Sequence, residues 1–457
     1  MLLGLGPGFP DAALADASRA SSEKSTRGET KMTDLRRFLT NAAKPLLFIL
    51  CLPTLAAASG FGIFTHGASS LGQAASVVAH TSGPAAIFFN PALINKLEGT
   101  QVEVGTTLIV PSREYTGRFP GQRTDTRDDV FLPSTLFVTH RFSDRISAGL
   151  GVFSPFGLGT DWGGTWDGRY LATRSEMITL NVNPVISCLI TPQLALAAGI
   201  DILYLDTTLE RKLNLNGLNA AIGGLLGAGP FPDVGQKFSG DGTGIGFNLG
   251  LLYDVSDTIS LGASYRSEIK VGVKGKGTFD PQIPGLLTDS PGKADLTLPQ
   301  QVFAGICYKG FDPLTLEAGI RWEDWSSFRE LVVNSDNGTV SYAPKNWKST
   351  FAYTIGARYR LNDTVALLAG YLYSDNPIPD GTFEPSIPDA DTHLFCVGAD
   401  LDYRTFIISI SYAYQMLESR DKGNLMGDPF GVPGTGTANG RYESDLHMVA
   451  ASVAFRF

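Results

Sequence analysis

From about residue 100 to the C-terminus, apolar and polar residues alternate with a period of two, in segments of about ten residues. In Thr350 to Leu361, the side chains of Phe351, Tyr353, Ile355, Tyr359 and Leu361 share one parity, while Thr350, Thr354, Gly356, Arg358 and Arg360 take the other. Thr405 to Met416 repeats the pattern with Phe406, Ile408, Ile410, Tyr412 and Tyr414, and the last segment does so with Val449, Ala451, Val453, Phe455 and the terminal Phe457. Each such segment reads as a strand with one apolar and one polar face. Further candidates begin near Gln101, Val130, Arg145, Met177, Gln193, Thr243, Thr258, Leu296, Leu314, Val365 and His393, which brings the total to fourteen. Very short connections (Phe142 to Arg145, Thr191 to Gln193, Val255 to Thr258, Phe311 to Pro313, Leu361 to Thr364) alternate with long ones such as Asn214 to Gly242 and Phe279 to Ala294. An even number of strands, with short turns at one rim and long loops at the other, is the pattern of a transmembrane β-barrel. A soluble β-sandwich would also bury apolar strand faces, but it does not account for the loop asymmetry.

Composition agrees with a barrel. Only 18% of residues are charged, yet mean hydropathy is +0.04, the average expected of an apolar face alternating with a polar one. A helical membrane bundle needs several apolar runs of about 20 residues, and there is one short run, near the N-terminus. There, Arg36, Arg37 and Lys44 precede the apolar segment Pro45 to Leu55 and the small residues Ala56-Ala57-Ala58, the layout of a secretory signal. The expected organisation is an extension or over-called start over 1–31 before Met32, a signal peptide over 32–58, a plug over 59–99 and a barrel over 100–457. Residues 59–99 are rich in small residues and lack alternation, so they read as short helices and turns packed in the lumen. The formal net charge of −9 speaks against nucleic-acid binding. Cys188, Cys307 and Cys396 form no disulfide framework, and the five histidines have no metal-like spacing. The expectation is therefore no metal and no cofactor.

Several motifs carry a resemblance. Ser59-Gly60-Phe61 is followed by a Gly-rich stretch leading to Asn90-Pro91-Ala92; then come Ser154-Pro155-Phe156-Gly157-Leu158-Gly159-Thr160, Leu298-Pro299-Gln300, Trp322-Glu323-Asp324-Trp325-Ser326 and Pro388-Asp389-Ala390-Asp391. In this order, the chain resembles the FadL-type outer-membrane transporters of long-chain fatty acids, which include hydrocarbon importers of the TodX kind. One position departs from the family pattern, which has arginine where this chain has Thr392. The resemblance implies a 14-stranded barrel closed by an N-terminal hatch, in the outer membrane of a Gram-negative bacterium. It also implies ligand capture on loops, an interior pocket lined in part by the first hatch residues including Phe61, lateral exit at a kinked third strand, and no energy source.

The residues themselves support candidate roles. Ile222, Leu225 and Leu226 in one long loop and Ile283, Leu286 and Leu287 in another form exposed apolar clusters, which suit a capture groove; they also suit simple packing of loop on loop. Pro155, Gly157 and Gly159 fall where the third strand ends, and proline removes a ladder bond there; Asn90, Pro91 and Ala92 are the expected hatch turn facing that break. Arg358 and Arg360 point into the lumen with Glu317, Arg321, Glu323, Asp400 and Asp402. They form either a paired ladder or a carboxylate headgroup site, a task suited to arginine. Tyr371, Tyr373, Tyr412 and Tyr414 suit an interfacial belt. No Gly-x-Ser-x-Gly elbow or phosphate loop is present, so the chain reads as a transporter and not an enzyme; a general porin would need an open lumen. Expected partners are a hydrophobic small molecule, outer-membrane lipids and the barrel-assembly machinery that reads the C-terminal strand ending in Phe457, with the protein a monomer.

Overall fold

The computed structural model describes residues 60–457 except Ser82, Asp128 and 428–436. The extension 1–31, the leader 32–58 and Ser59 therefore lie outside the described residues. Fourteen antiparallel strands form a closed barrel: β1 (Thr100–Gly117), β2 (Ser134–Arg141), β3 in two parts (Ile146–Phe153 and Gly157–Asp161), β4 (Arg174–Thr191), β5 (Leu194–Leu213) and β6 (Val234–Asp254) lead into two further split strands. These are β7 (Ile259–Arg266 and Ile269–Asp280) and β8 (Ser290–Leu298 and Gln301–Phe311), followed by β9 (Leu314–Glu323), β10 (Thr350–Arg360), β11 (Val365–Ser374), β12 (Thr392–Tyr403), β13 (Phe406–Leu417) and β14 (Gly440–Arg456). β1 pairs with β14 along its whole length, from Gln101 opposite Arg456 to Gly117 opposite Gly440, and with β2 on its other side. Closure pairs the backbone amides within the wall, which hydrocarbon cannot solvate.

Strand starts follow the alternation except where the two faces exchange chemistry. Across the middle of the barrel the outward side chains are apolar, as with Ile186, Ile200 and Ile245, the last 74% exposed, and the inward ones are polar, as with Asn181, Asn183, Ser187, Asp201 and Asn248. Toward the long-loop rim the order reverses. Leu203, Leu205, Phe238, Val271, Val273 and Leu296 turn inward and join a buried cluster with Phe61, Trp325 and Phe328, while Asp241, Lys274 and Lys293 point out. Thus β6 begins at Val234 and not near Thr243, and β8 at Ser290 and not near Leu296. The expected loops shrink accordingly.

Residues 60–98 lie inside the barrel as two helical turns, Ala68–Gly72 and Ala86–Phe89, and a 3-10 helix, Pro91–Lys96. Ile87, Phe88, Phe89 and Ile94 are fully buried, packed with the wall residues Phe137, Phe153 and Phe303. The abundant glycine is used where this segment touches the wall. A Cβ at Gly262 would stand 2.0 Å from the Val78 carbonyl oxygen, and one at Gly370 would stand 2.4 Å from the Gln73 carbonyl carbon; no larger residue permits this approach.

Candidate functional site

The third strand is broken at Ser154–Phe156. Its lower part pairs with β2, Leu136 opposite Val152, but its upper part, Gly157–Asp161, pairs only with β4. The free edge is taken by the start of the plug: Ile63 N donates to Pro155 O (2.9 Å), and Gly157 N donates to Phe61 O (2.8 Å). Gly62 and Phe156 form an antiparallel bridge between these two bonds. Above the break, Arg127 N donates to Asp161 O (2.8 Å). Among the described residues, no ladder joins β2 to the upper part of β3, so the wall has a local gap sealed by Phe61–Ile63. Pro155 supplies an acceptor without a donor of its own. Asn90, Pro91 and Ala92, expected opposite this break, instead lie against β6: the Asn90 side chain donates to Leu251 O (2.9 Å) and accepts from Ala92 N. The physical reason is local: Phe61–Ile63 adds to the free edge of β3, while Asn90 caps the 3-10 helix Pro91–Lys96.

Beside Phe61–Ile63 is a narrow cavity of ≈ 40 Å³, lined by Ile63, Phe64, Leu71, Leu372, Leu446 and Met448, among others, with one cationic side chain, Arg321. The Arg321 guanidinium stacks on Phe64, 3.3 Å from the ring centroid, and donates to Glu323 Oε2 (3.1 Å). The sequence pattern marked Arg321 as inward-facing but gave no reason to single it out from Arg358 and Arg360. Those two lie toward the short-turn rim. Arg358 donates to Asp400 (3.2 Å), and Arg360, half exposed, is paired with Asp312 of the β8–β9 turn. Asp402 is paired with Arg456 (3.0 Å).

A second set of inward side chains holds the plug. Short helical turns leave most of their amides and carbonyls without internal partners, and the wall supplies them. Glu317 accepts from the amides of Val78 and Ala79 (3.0 Å to Ala79), and Glu103 accepts from Ala85 N (3.0 Å). Arg266 donates to Ile87 O (3.1 Å) and Phe88 O (3.0 Å), while its other arm meets Asp201 (2.6 Å). His80 lies 2.7 Å from Glu317, and Cys307 lies close by, so these three form the one group of metal-ligating residue types that converges among the described residues.

At the long-loop rim, Leu287 is buried with Leu213, Leu218 and Phe279, and Ile222, Leu226, Ile283 and Leu286 pack against them. Leu225 points to solvent, 78% exposed. The two loops thus clasp each other. Next to the clasp a groove of ≈ 120 Å³ is lined by Leu209, Phe238, Phe279, Leu331 and Val333, with Arg211, Lys237 and Lys345 among its polar members. Phe238 and Val333 also belong to the buried cluster containing Phe61 and Trp325, so apolar surface runs from the groove to the plug's first residues. Trp325 is fully buried 4.5 Å from Phe61, whereas Trp322 shares the outward face of β9 with Ile320. Gly60 N donates to Asp389 Oδ2 (2.7 Å). Burial pushes the Asp389 carboxyl up to about 7, against the opposing pull of the Gly60 and Ala390 amides and Arg420. Arg420 reaches Asp389 O (3.1 Å) from beyond β13, and the Thr392 hydroxyl donates to Ala390 O (3.1 Å).

The family model described as "Outer membrane protein transport protein (OMPP1/FadL/TodX)" matches residues 49–457. A long-chain fatty acid transport protein of Salmonella typhi is 26% identical over 379 residues, covering 77% of this chain and 85% of that protein. A 47 kDa outer membrane protein of Pasteurella multocida is 25% identical over 420 residues, covering 88% and 95%. Among solved structures, a FadL homologue of Pseudomonas aeruginosa aligns with TM-score 0.78 at 22% identity, over 87% of this chain and all of that one. The toluene transporter TodX of P. putida aligns with TM-score 0.70 at 20% identity, over 88% and 99%. With the closed 14-stranded barrel and a match over nearly all of the described chain, the protein belongs to the OMPP1/FadL/TodX family of outer-membrane transport proteins.

Proposed function

We propose that this chain carries long-chain fatty acids across the outer membrane. The observation that carries the reading is an apolar cavity with a single cationic side chain, Arg321, at its wall. A long alkyl chain with one carboxylate matches that composition, because a guanidinium in apolar surroundings favours a carboxylate partner. The relatives named as long-chain fatty acid transport proteins support the same substrate class. Ligand enters by the groove beside the loop clasp, passes the Phe61 and Trp325 cluster and widens the cavity as Phe61–Ile63 shifts from its wall. It leaves sideways between β2 and the upper part of β3 once Phe61–Ile63 withdraws. Sideways exit is favoured because the route below is polar: Asn181, Asn183, Asp201 and Asn248 face the lumen there. Residues 60–98 act as the hatch. The route is complete within one barrel, which supports a monomer, and the C-terminal strand ending in Phe457 is the element read by the assembly machinery.

A second reading, an uncharged hydrocarbon cargo, is favoured by the existing bond between Arg321 and Glu323, which already satisfies the cation. The double variant Arg321→Met/Glu323→Gln separates the two without leaving a lone buried charge. It is expected to weaken oleate binding about tenfold, the value of one charge-assisted hydrogen bond, and to leave toluene uptake unchanged. Unchanged oleate binding overturns the fatty-acid reading of the cavity.

A further inference from the structure

Where the plug meets the wall, three ligating side chains of different type converge. Cys307 on β8 and Glu317 on β9 are register partners, and both are buried. His80 arrives from the plug, and the three donor atoms lie within 4.8 Å of one another. The ligands are held in place by their neighbours. Gln73 Nε2 donates to Ser69 O (3.1 Å), which turns the Gln73 oxygen toward His80 Nε2 (2.9 Å). That oxygen only accepts, so Nε2 carries a proton and Nδ1 faces Glu317 Oε2. The amides of Val78 and Ala79 fix the Glu317 carboxylate. Orienting bonds of this kind, on the far nitrogen of a histidine and on the carboxylate, are what metal ligands use. An approach exists as well, since Ala79, His80 and Thr81 line a wide vestibule of ≈ 900 Å³ at the periplasmic mouth.

Hydrogen bonds join His80 to Glu317 and to Cys307, but the thiol is a weak partner in them. As a thiolate, it gives a sulfur, nitrogen and oxygen donor set that fills three positions of a tetrahedral borderline-soft cation and leaves the fourth to water. We propose that His80 Nδ1, Cys307 Sγ and Glu317 Oε2 form a binding site for a divalent transition metal of the zinc class, which staples the plug to the barrel wall. Binding releases two protons, one from the Cys307 thiol and one from the hydrogen bond between His80 Nδ1 and Glu317; no electron is transferred. With one ligand on the plug and two on the wall, the bound ion opposes plug movement and slows transport. The site stands on its own geometry, and only this last consequence rests on the transport reading above.

Titration of the purified chain in detergent micelles with Co²⁺ tests the site. A single equivalent should bind with a thiolate-to-cobalt charge-transfer band, lost in Cys307→Ser, and Gln73→Ala should weaken affinity about tenfold. In the unaltered chain, Zn²⁺ should displace Co²⁺ and bleach that band. A band that persists at saturating Zn²⁺, or an equal band in Cys307→Ser, overturns the site. In proteoliposomes, Zn²⁺ should lower oleate uptake by the unaltered chain and not by Cys307→Ser; uptake indifferent to Zn²⁺ in a chain shown to have bound it overturns the staple. Absence of oleate uptake without any metal counts instead against the proposed cargo.

Discussion

Asp389 ties the start of the plug to an extracellular loop; ionisation strengthens its bond from Gly60 N but places a charge on a buried carboxyl, and burial outweighs the bond. Burial is the largest influence and holds its carboxyl up at about 7, above the ordinary 3.8. A group raised in the folded state contributes stability that is fully present below its unfolded value and lost as the pH rises through the folded one. The closed arrangement that buries Asp389 is therefore more stable at pH 5 than at pH 8. Hydrogen exchange of the amides of residues 60–63, corrected for the intrinsic base-catalysed rate, should rise between these values in the native chain and stay flat in Asp389→Asn. An equal rise in both overturns the tether. Residue-scale features of this kind were only partly legible in the sequence. Alternation told which side chains face the lumen, because an outward Arg or Lys at mid-bilayer costs about 2 to 4 kcal/mol. It did not tell their partners: the pairing of Arg358 with Asp400, the hold of Arg266 on Phe88 O and the approach of Arg420 to Asp389 all join positions far apart in the chain.

At the scale of elements, the break in β3 is the part most dependent on context. Pro155 and the flanking glycines announced an irregularity, yet an ordinary turn has the same composition. What distinguishes it is the plug strand that fills the free edge. Gly62 and Phe156 lie between two flanking hydrogen bonds, the closely spaced kind of antiparallel pair, with Cα atoms about 4.5 Å apart. That spacing is within reach of a disulfide. A Gly62→Cys/Phe156→Cys chain should therefore transport normally when reduced and lose uptake when oxidised, with loop capture of ligand retained. Normal uptake in the oxidised form overturns exit at this gap. The strand ends depart from the alternation for a related reason. Period two with apolar residues outward holds only across the bilayer; above it Phe238, Val271 and Leu296 face inward and lysines and aspartates face water. The period continues across that boundary and only its polarity changes sign.

For the whole molecule, that change of sign marks out the path proposed above for the cargo. A hydrophobic cargo follows apolar surface, which continues from the loop groove through the Phe61 cluster and ends at the cavity beside the plug. Below lie buried asparagines, serines and charged side chains, and desolvating an alkyl chain against these gains nothing. On the proposed route, residues 60–98 act as a floor for hydrophobic molecules. The plug is held by apolar packing against Phe137, Phe153 and Phe303 and by side-chain bonds to its backbone from Glu103, Arg266 and Glu317, while the wall's own ladder is closed by β1 and β14 over Gln101–Gly117. Deleting residues 60–98 should leave a folded barrel by heat-modifiable migration, but convert it from a closed to a steadily conducting channel in planar bilayers. It should also abolish the preference for hydrophobic over polar solutes. A full-length chain that already conducts steadily, or a deletion chain that stays closed, would overturn the assignment of these residues as the plug and place the barrier in the extracellular loops.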